Sequence, residues 1–192
     1  MGRVFKVFKL KKYIIKMESI LFGQRIPKEY FLTSGSGESD VTVHAGSFDM
    51  ALMAAGIHNQ NIIVYSSILP ATAVEIPKKD LTFGAVAETI MATAEGKKGE
   101  NITAGIIYGW VYDKNNKKGG LVAEYHGHGS KEEAEKTLRA SLDGMFKARF
   151  PDGNLQLKDV KIKIESFTAK KEFGSAIVAL VFTSYDYPKL EV

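Results

Sequence analysis

Strand signals dominate this sequence, and only two stretches carry the periodicity of a helix. That imbalance restricts the chain to sheets stacked on one another with helices outside, an α+β architecture. The strand-like runs are Thr82–Ala94, Ile102–Tyr112, Leu121–His126, Lys158–Thr168 and Gly174–Thr183. The last, with its core AIVALVFT, reads as a buried strand, and so does the continuous β-branched run Asn61–Tyr65. Upstream, IPKEYFLTSG from Ile26 is expected to be a short strand ending in a Gly/Ser turn, with Gly35–Asp40 left as a loop. DKNNKKGG is expected to turn between two of the later strands. The first helix opens at Ser47-Phe48-Asp49, with Ser47 as N-cap and Asp49 where the dipole favours an anion. Its buried stripe is Phe48, Ala51, Leu52 and Ala55, and Gly56 ends it. The second begins with the capping box Ser130-Lys-Glu-Glu133, turns Ala134, Leu138, Leu142 and Met145 toward a sheet, and fades near Pro151.

The chain has 192 residues, 45% hydrophobic and 25% charged, which fits one soluble globular domain. No run of about 18 uncharged apolar residues is present to span a bilayer. The absence of Cys excludes disulfides, thiolate nucleophiles and Cys-ligated zinc, and fits a cytoplasmic setting. The net charge of +4 is unevenly placed. Residues 1–16 hold six of the twenty-six bases and no acid, so the rest of the chain carries twenty bases against twenty-two acids. A broad phosphate-binding face, and with it a nucleic-acid partner, is therefore disfavoured. Residues 1–25 read as a basic extension, an extra strand or a flexible tail, or as sequence ahead of a true start at Met17; residues 26–192 read as the single domain. A basic amphipathic element there that touches anionic lipid is the less favoured reading.

The familiar catalytic signatures are missing: there is no GxSxG, no HExxH and no complete GxGxxG. His126-Gly127-His128 lacks a third metal ligand at recognisable spacing, so no metal is expected, and His44 and His58 stand alone. Two carboxylates sit in apolar runs. Glu124, within LVAEY, is expected to be buried enough to hold a proton near neutrality, the alternative being a strand-edge glutamate in water. Glu88, within GAVAETIMA, is a reserve acid.

The stretch NIIVYSSILP, preceded by HAGSFDMALMAAGIHNQ and followed by GGLVAEYHGHGSKEEAEKTL, resembles the pyruvoyl-dependent arginine decarboxylases. The likeness runs from about Ile26 to about Tyr185, and IPKEYFLTSGSGESDV and GAVAETIMA also look like this family. The resemblance implies an αββα four-layer sandwich that assembles as a trimer, or a pair of trimers, with active sites between protomers. It also implies self-cleavage between Ser66 and Ser67. The Ser67 hydroxyl attacks the Ser66 carbonyl carbon, turning the amide into an ester through an oxyoxazolidine intermediate. β-Elimination then releases residues 1–66, and the dehydroalanine left at position 67 hydrolyses to a pyruvoyl group and ammonia.

That group is the implied cofactor, and L-arginine would be converted to agmatine and CO2 through a Schiff base with it. Glu124 matches the family's proton donor. Asp49 matches the carboxylate that pairs with the substrate guanidinium, a geometry suited to a planar fork of donors. Asn61 matches an asparagine used in self-processing. From the residues alone, Asp49 is equally a helix-start aspartate and Asn61 a strand-start asparagine. Lysine or ornithine as substrate, or a binding protein that never cleaves, are the alternatives. His126, directly after the Tyr that follows Glu124, departs from some members, and Ser34 and the GSGES segment border the region without an assigned role.

Overall fold

The computed structural model describes residues 23–189, so the basic run 1–16 and the start at Met17 lie outside the described residues. The chain folds as β1 (Ile26–Ser39), a π-type helical turn (Val43–Phe48), α1 (Asp49–Ala55), β2 (Asn61–Val64), β3 (Ile68–Pro70) and β4 (Val74–Glu75). It continues as β5 (Val86–Lys97), β6 (Asn101–Asp113), β7 (Asn116–Gly127), α2 (Lys131–Arg149), β8 (Gln156–Thr168) and β9 (Phe173–Asp186). Two sheets result, ordered β2-β5-β9-β1-β4 and β3-β7-β6-β8.

Strand alternation sorts the apolar side chains into layers. Ile90, Ala92 and Ala94 of β5, Val178 and Leu180 of β9, and Ile102, Ala104 and Ile106 of β6 fill the space between the sheets. Ile177, Ala179 and Val181 point the other way, against Ala51, Leu52 and Ala55 of α1. Ile107, Leu121 and Ala123 meet Leu138 and Leu142 of α2 on the far side of the second sheet. The order of layers is α1, five strands, four strands, α2, the four-layer sandwich expected.

The second helix forms as its sequence demands. Ser130 Oγ accepts from Glu133 N (3.2 Å) and Glu133 returns the contact to Ser130 N (2.8 Å). Gly56 ends α1 in the left-handed region at φ 71°.

Four expectations change. β1 does not stop at a Gly/Ser turn but runs through Ser39, paired with β9 from Ile26↔Asp186 to Ser39↔Phe173. Its glycines are there for packing: a Cβ on Gly35 would lie 2.3 Å from the Ala51 carbonyl oxygen, and one on Gly37 2.4 Å from that of Ser47. Ser47 is no N-cap; the helical turn before α1 buries it, and its hydroxyl meets Ser175 Oγ at 2.9 Å. The DKNNKKGG turn shrinks to two residues, because Asp113 pairs with Asn116 and Lys114 takes a φ of 55°. Finally, the NIIVY run is not buried. Among the described residues β2 is an edge strand paired only with β5, and Ile63 and Val64 are 48% and 55% exposed.

Candidate active site

β2 belongs to the edge of one sheet and β3 to the edge of the other, so residues 65–67 carry the chain between the two layers. Each end of this crossover is tied to its own sheet. Tyr65 N donates to Thr89 O (2.6 Å) in β5, and Val122 N in β7 donates to Ser67 O (3.0 Å). Between them, Ile68 N donates to Ser66 O (2.9 Å), closing a tight turn centred on Ser67. The carbonyl of Ser66 is thus polarised by a backbone N–H one residue beyond the Ser66–Ser67 bond. That is the placement needed to stabilise negative charge on this oxygen when its carbon is attacked.

The side chains converge at the same point. Ser67 Oγ donates to the Glu124 carboxylate, 2.9 Å from Oε1 and 3.0 Å from Oε2. Glu124 is in register opposite Ile106 and shares its strand face with Val122, which lies between the sheets. Loss of water raises the Glu124 pKa above the usual carboxylate range; the Ser67 hydroxyl and the nearby His126 pull it down and only partly offset that rise. The residues fit a self-made carbonyl group at position 67, with a hydroxyl to be lost, an acceptor for its proton and an N–H on the carbonyl that remains.

The other expected residues lie apart. Asp49 is exposed at the start of α1, on the outer layer, and no hydrogen bond or ion pair among the described residues joins it to Ser67 or Glu124. Asn61 begins β2, with Nδ2 donating to Gly84 O (2.9 Å). It lies at the far end of β2 from the crossover, with Ser66 beyond the other end. Glu88 is buried, paired with Arg25, and its Oε2 has no partner among the described residues. Ser34 donates to Glu165 Oε2 (2.9 Å) and Ser36 to Oε1 (3.1 Å), a tie between the sheets rather than a wall of this site. His126 and His128 each bond a neighbouring strand's backbone, His126 at Thr93 and His128 Nδ1 at Asn101 O (2.9 Å). A surface depression of about 760 Å³ lies against α2 and contains neither Ser67 nor Glu124.

Sequence reading missed the N–H groups of Ile68 and Val122, because backbone donors leave no mark on residue type. It also missed Arg25 and Tyr65. The only signal for them was a buried carboxylate, Glu88, that needed a cation.

Comparison with known proteins gives a consistent result. Residues 29–187 match the sequence model of the pyruvoyl-dependent arginine decarboxylase family. The protein named pyruvoyl-dependent arginine decarboxylase in Thermococcus sibiricus is 34% identical over 163 residues, covering 83% of this chain and 97% of that relative. Those of the same name in Methanococcus vannielii and Methanocaldococcus jannaschii are 36% and 40% identical, covering 71% and 65% of this chain and 81% and 74% of each relative.

Proposed function

From the membership of this chain in the pyruvoyl-dependent arginine decarboxylase family, we infer that it converts L-arginine to agmatine and CO2, with a pyruvoyl group made from its own Ser67. The observation that carries this reading is the Ser67 hydroxyl set against both oxygens of Glu124 at the crossover between the sheets. When present, a pyruvoyl group draws electrons from the substrate's α-carbon as CO2 leaves.

The chain's residues divide the remaining work. In the precursor, Glu124 orients the Ser67 hydroxyl; its oxygen attacks the Ser66 carbonyl carbon and its proton passes to the departing Ser67 nitrogen, while Ile68 N–H supports the oxyanion. The Val122 N–H then holds the carbonyl of residue 67. Conversion of Ser67 removes the hydroxyl, and with it the first of the contacts that lower the Glu124 pKa. The carboxyl thus becomes a better proton reservoir at the stage when a proton must be delivered to the α-carbon. Asp49 pairs with the substrate guanidinium, and Asn61 serves self-processing, both from a neighbouring protomer of a trimer or a pair of trimers. Two features support that delivery. Both residues are exposed and neither is bonded to the Ser67–Glu124 pair within one protomer, and the exposed Ile63, Val64 and Ile68 flank the crossover with an apolar surface awaiting cover. No helix of the described residues is long and apolar enough to cross a membrane.

A denaturing gel tests the reading. The wild type resolves into fragments 1–66 and 67–192, the larger refusing N-terminal sequencing, and releases CO2 from arginine in preference to lysine or ornithine. Ser67→Ala stays as one band near 21.1 kDa and is inactive. An intact wild-type chain that still decarboxylates arginine would refute the proposal.

Glu124→Gln separates the two roles of that residue. Glutamine keeps an acceptor oxygen for the Ser67 hydroxyl, so cleavage proceeds, but it has no proton to give, and kcat falls by roughly a hundredfold or more. In the wild type, kcat is sustained below the raised Glu124 pKa and declines as pH climbs through it. A Glu124→Gln enzyme with wild-type kcat would remove Glu124 from the proton-donor role.

A further inference from the structure

Arg25 lies outside the residues that match the family, yet its guanidinium reaches the segment just upstream of Ser66. Nη2 donates to Tyr65 Oη (2.8 Å) and to Glu88 Oε1, and the guanidinium carbon stands 4.7 Å from the centroid of the Tyr185 ring. Tyr187 supplies a further side-chain hydrogen bond. Glu88 lies on the inner face of β5, in step with Ile90 and Ala92, and only 5% of its side chain is exposed, against 41% for Arg25. With Oε2 unpartnered among the described residues, Arg25 is the cation paired with this buried charge. Tyr65 is held at three points, by its N–H on Thr89 O, its ring beside Phe182 (centroids 5.8 Å apart) and its hydroxyl on Arg25.

We propose that Arg25, Glu88 and Tyr65 form a clamp that positions the upstream arm of the Ser66–Ser67 bond for self-cleavage. The proposal rests on the self-processing reading above and adds positioning residues to it. Glu124 fixes the attacking oxygen from the four-stranded sheet. The carbonyl it must reach belongs to Ser66, whose direction is set by the residue before it, and that residue is anchored to the five-stranded sheet through Glu88 and Arg25. Attack requires the two arms to be held in register, since small misplacements of reacting groups are costly. Arg25 can serve both partners because its planar fork offers several donors, whereas lysine presents a point charge.

The test is the time course of cleavage of the full chain, followed by intact mass and denaturing gel, with melting temperature read on the same samples. Tyr65→Phe removes one hydroxyl and leaves the ring contact with Phe182, so it keeps the fold. Its cleavage, and that of Arg25→Gln, should slow by roughly tenfold. Arg25→Lys, which regains the ion pair but not the fork, should fall between them and the wild type, and Tyr65→Phe should melt with the wild type. Cleavage of Tyr65→Phe and Arg25→Gln within about twofold of a cleaving wild type overturns the clamp and leaves the family reading intact. Slowing that merely tracks a fall in melting temperature also overturns it. A wild type that never cleaves refutes the self-processing reading instead, and the clamp with it.

Discussion

β2 and β9 are spelled in the same alphabet and treated in opposite ways. Ile62–Val64 and the AIVALVF core of β9 are both continuous apolar runs rich in β-branched residues. β9 runs between β5 and β1, with the second sheet on one face and α1 on the other, and its residues from Gly174 to Phe182 are buried. Among the described residues β2 hangs on the sheet edge by β5 alone, and most of its side chains are exposed. An apolar run therefore signals that something covers it without saying whether the cover comes from the same chain. In this molecule the covered strand fills the core, and the uncovered one leads directly into the proposed cleavage site.

The contrast is sharpest at Leu180, which is fully buried between the sheets. Leu180→Ala should cost about 2–5 kcal/mol of unfolding free energy, read by urea denaturation. A loss under about 1 kcal/mol would mean that the core collapses around the missing atoms and that β9 is not the stabilising strand described here. Ile63→Asp should change the stability of a protomer much less, within about 0.5 kcal/mol. If the proposed assembly covers β2, the effect should fall on association, with sedimentation velocity showing protomers where the wild type is expected to show trimers or larger species. An Ile63→Asp protein that sediments as the wild type does would break the comparison, since the exposed face of β2 would then need no cover.

What could be read from the sequence was whatever depends on neighbours along the chain. The capping box of α2, the left-handed Gly56 and the buried run of β9 involve residues a few positions apart, and all appear where expected. What could not be read depends on distant partners. Gly35 and Gly37 look like turn residues until α1 is laid across them, and Ser47 looks like a cap until Ser175 arrives from the far end of the chain. Ser67 and Glu124, 57 positions apart, meet because β3 pairs with β7, a register that residue types do not announce. Asp49 and Asn61 were legible as residue types, but their distance from that pair within a protomer was not.

The strand order of the larger sheet decides what a break at residue 66 does to the molecule. β2 and β1 precede that point and β5, β9 and β4 follow it, so the two pieces alternate across the sheet. The shorter piece is interlaced with the longer one: β1 lies between β9 and β4, joined to β9 along its whole length. Neither Ser66 nor Ser67 lies in a strand, so severing their peptide link disturbs no strand pairing. The fragments would diffuse apart only if the sheet were unzipped, which makes the nicked protein about as durable as the continuous one and its reassembly from separated pieces slow.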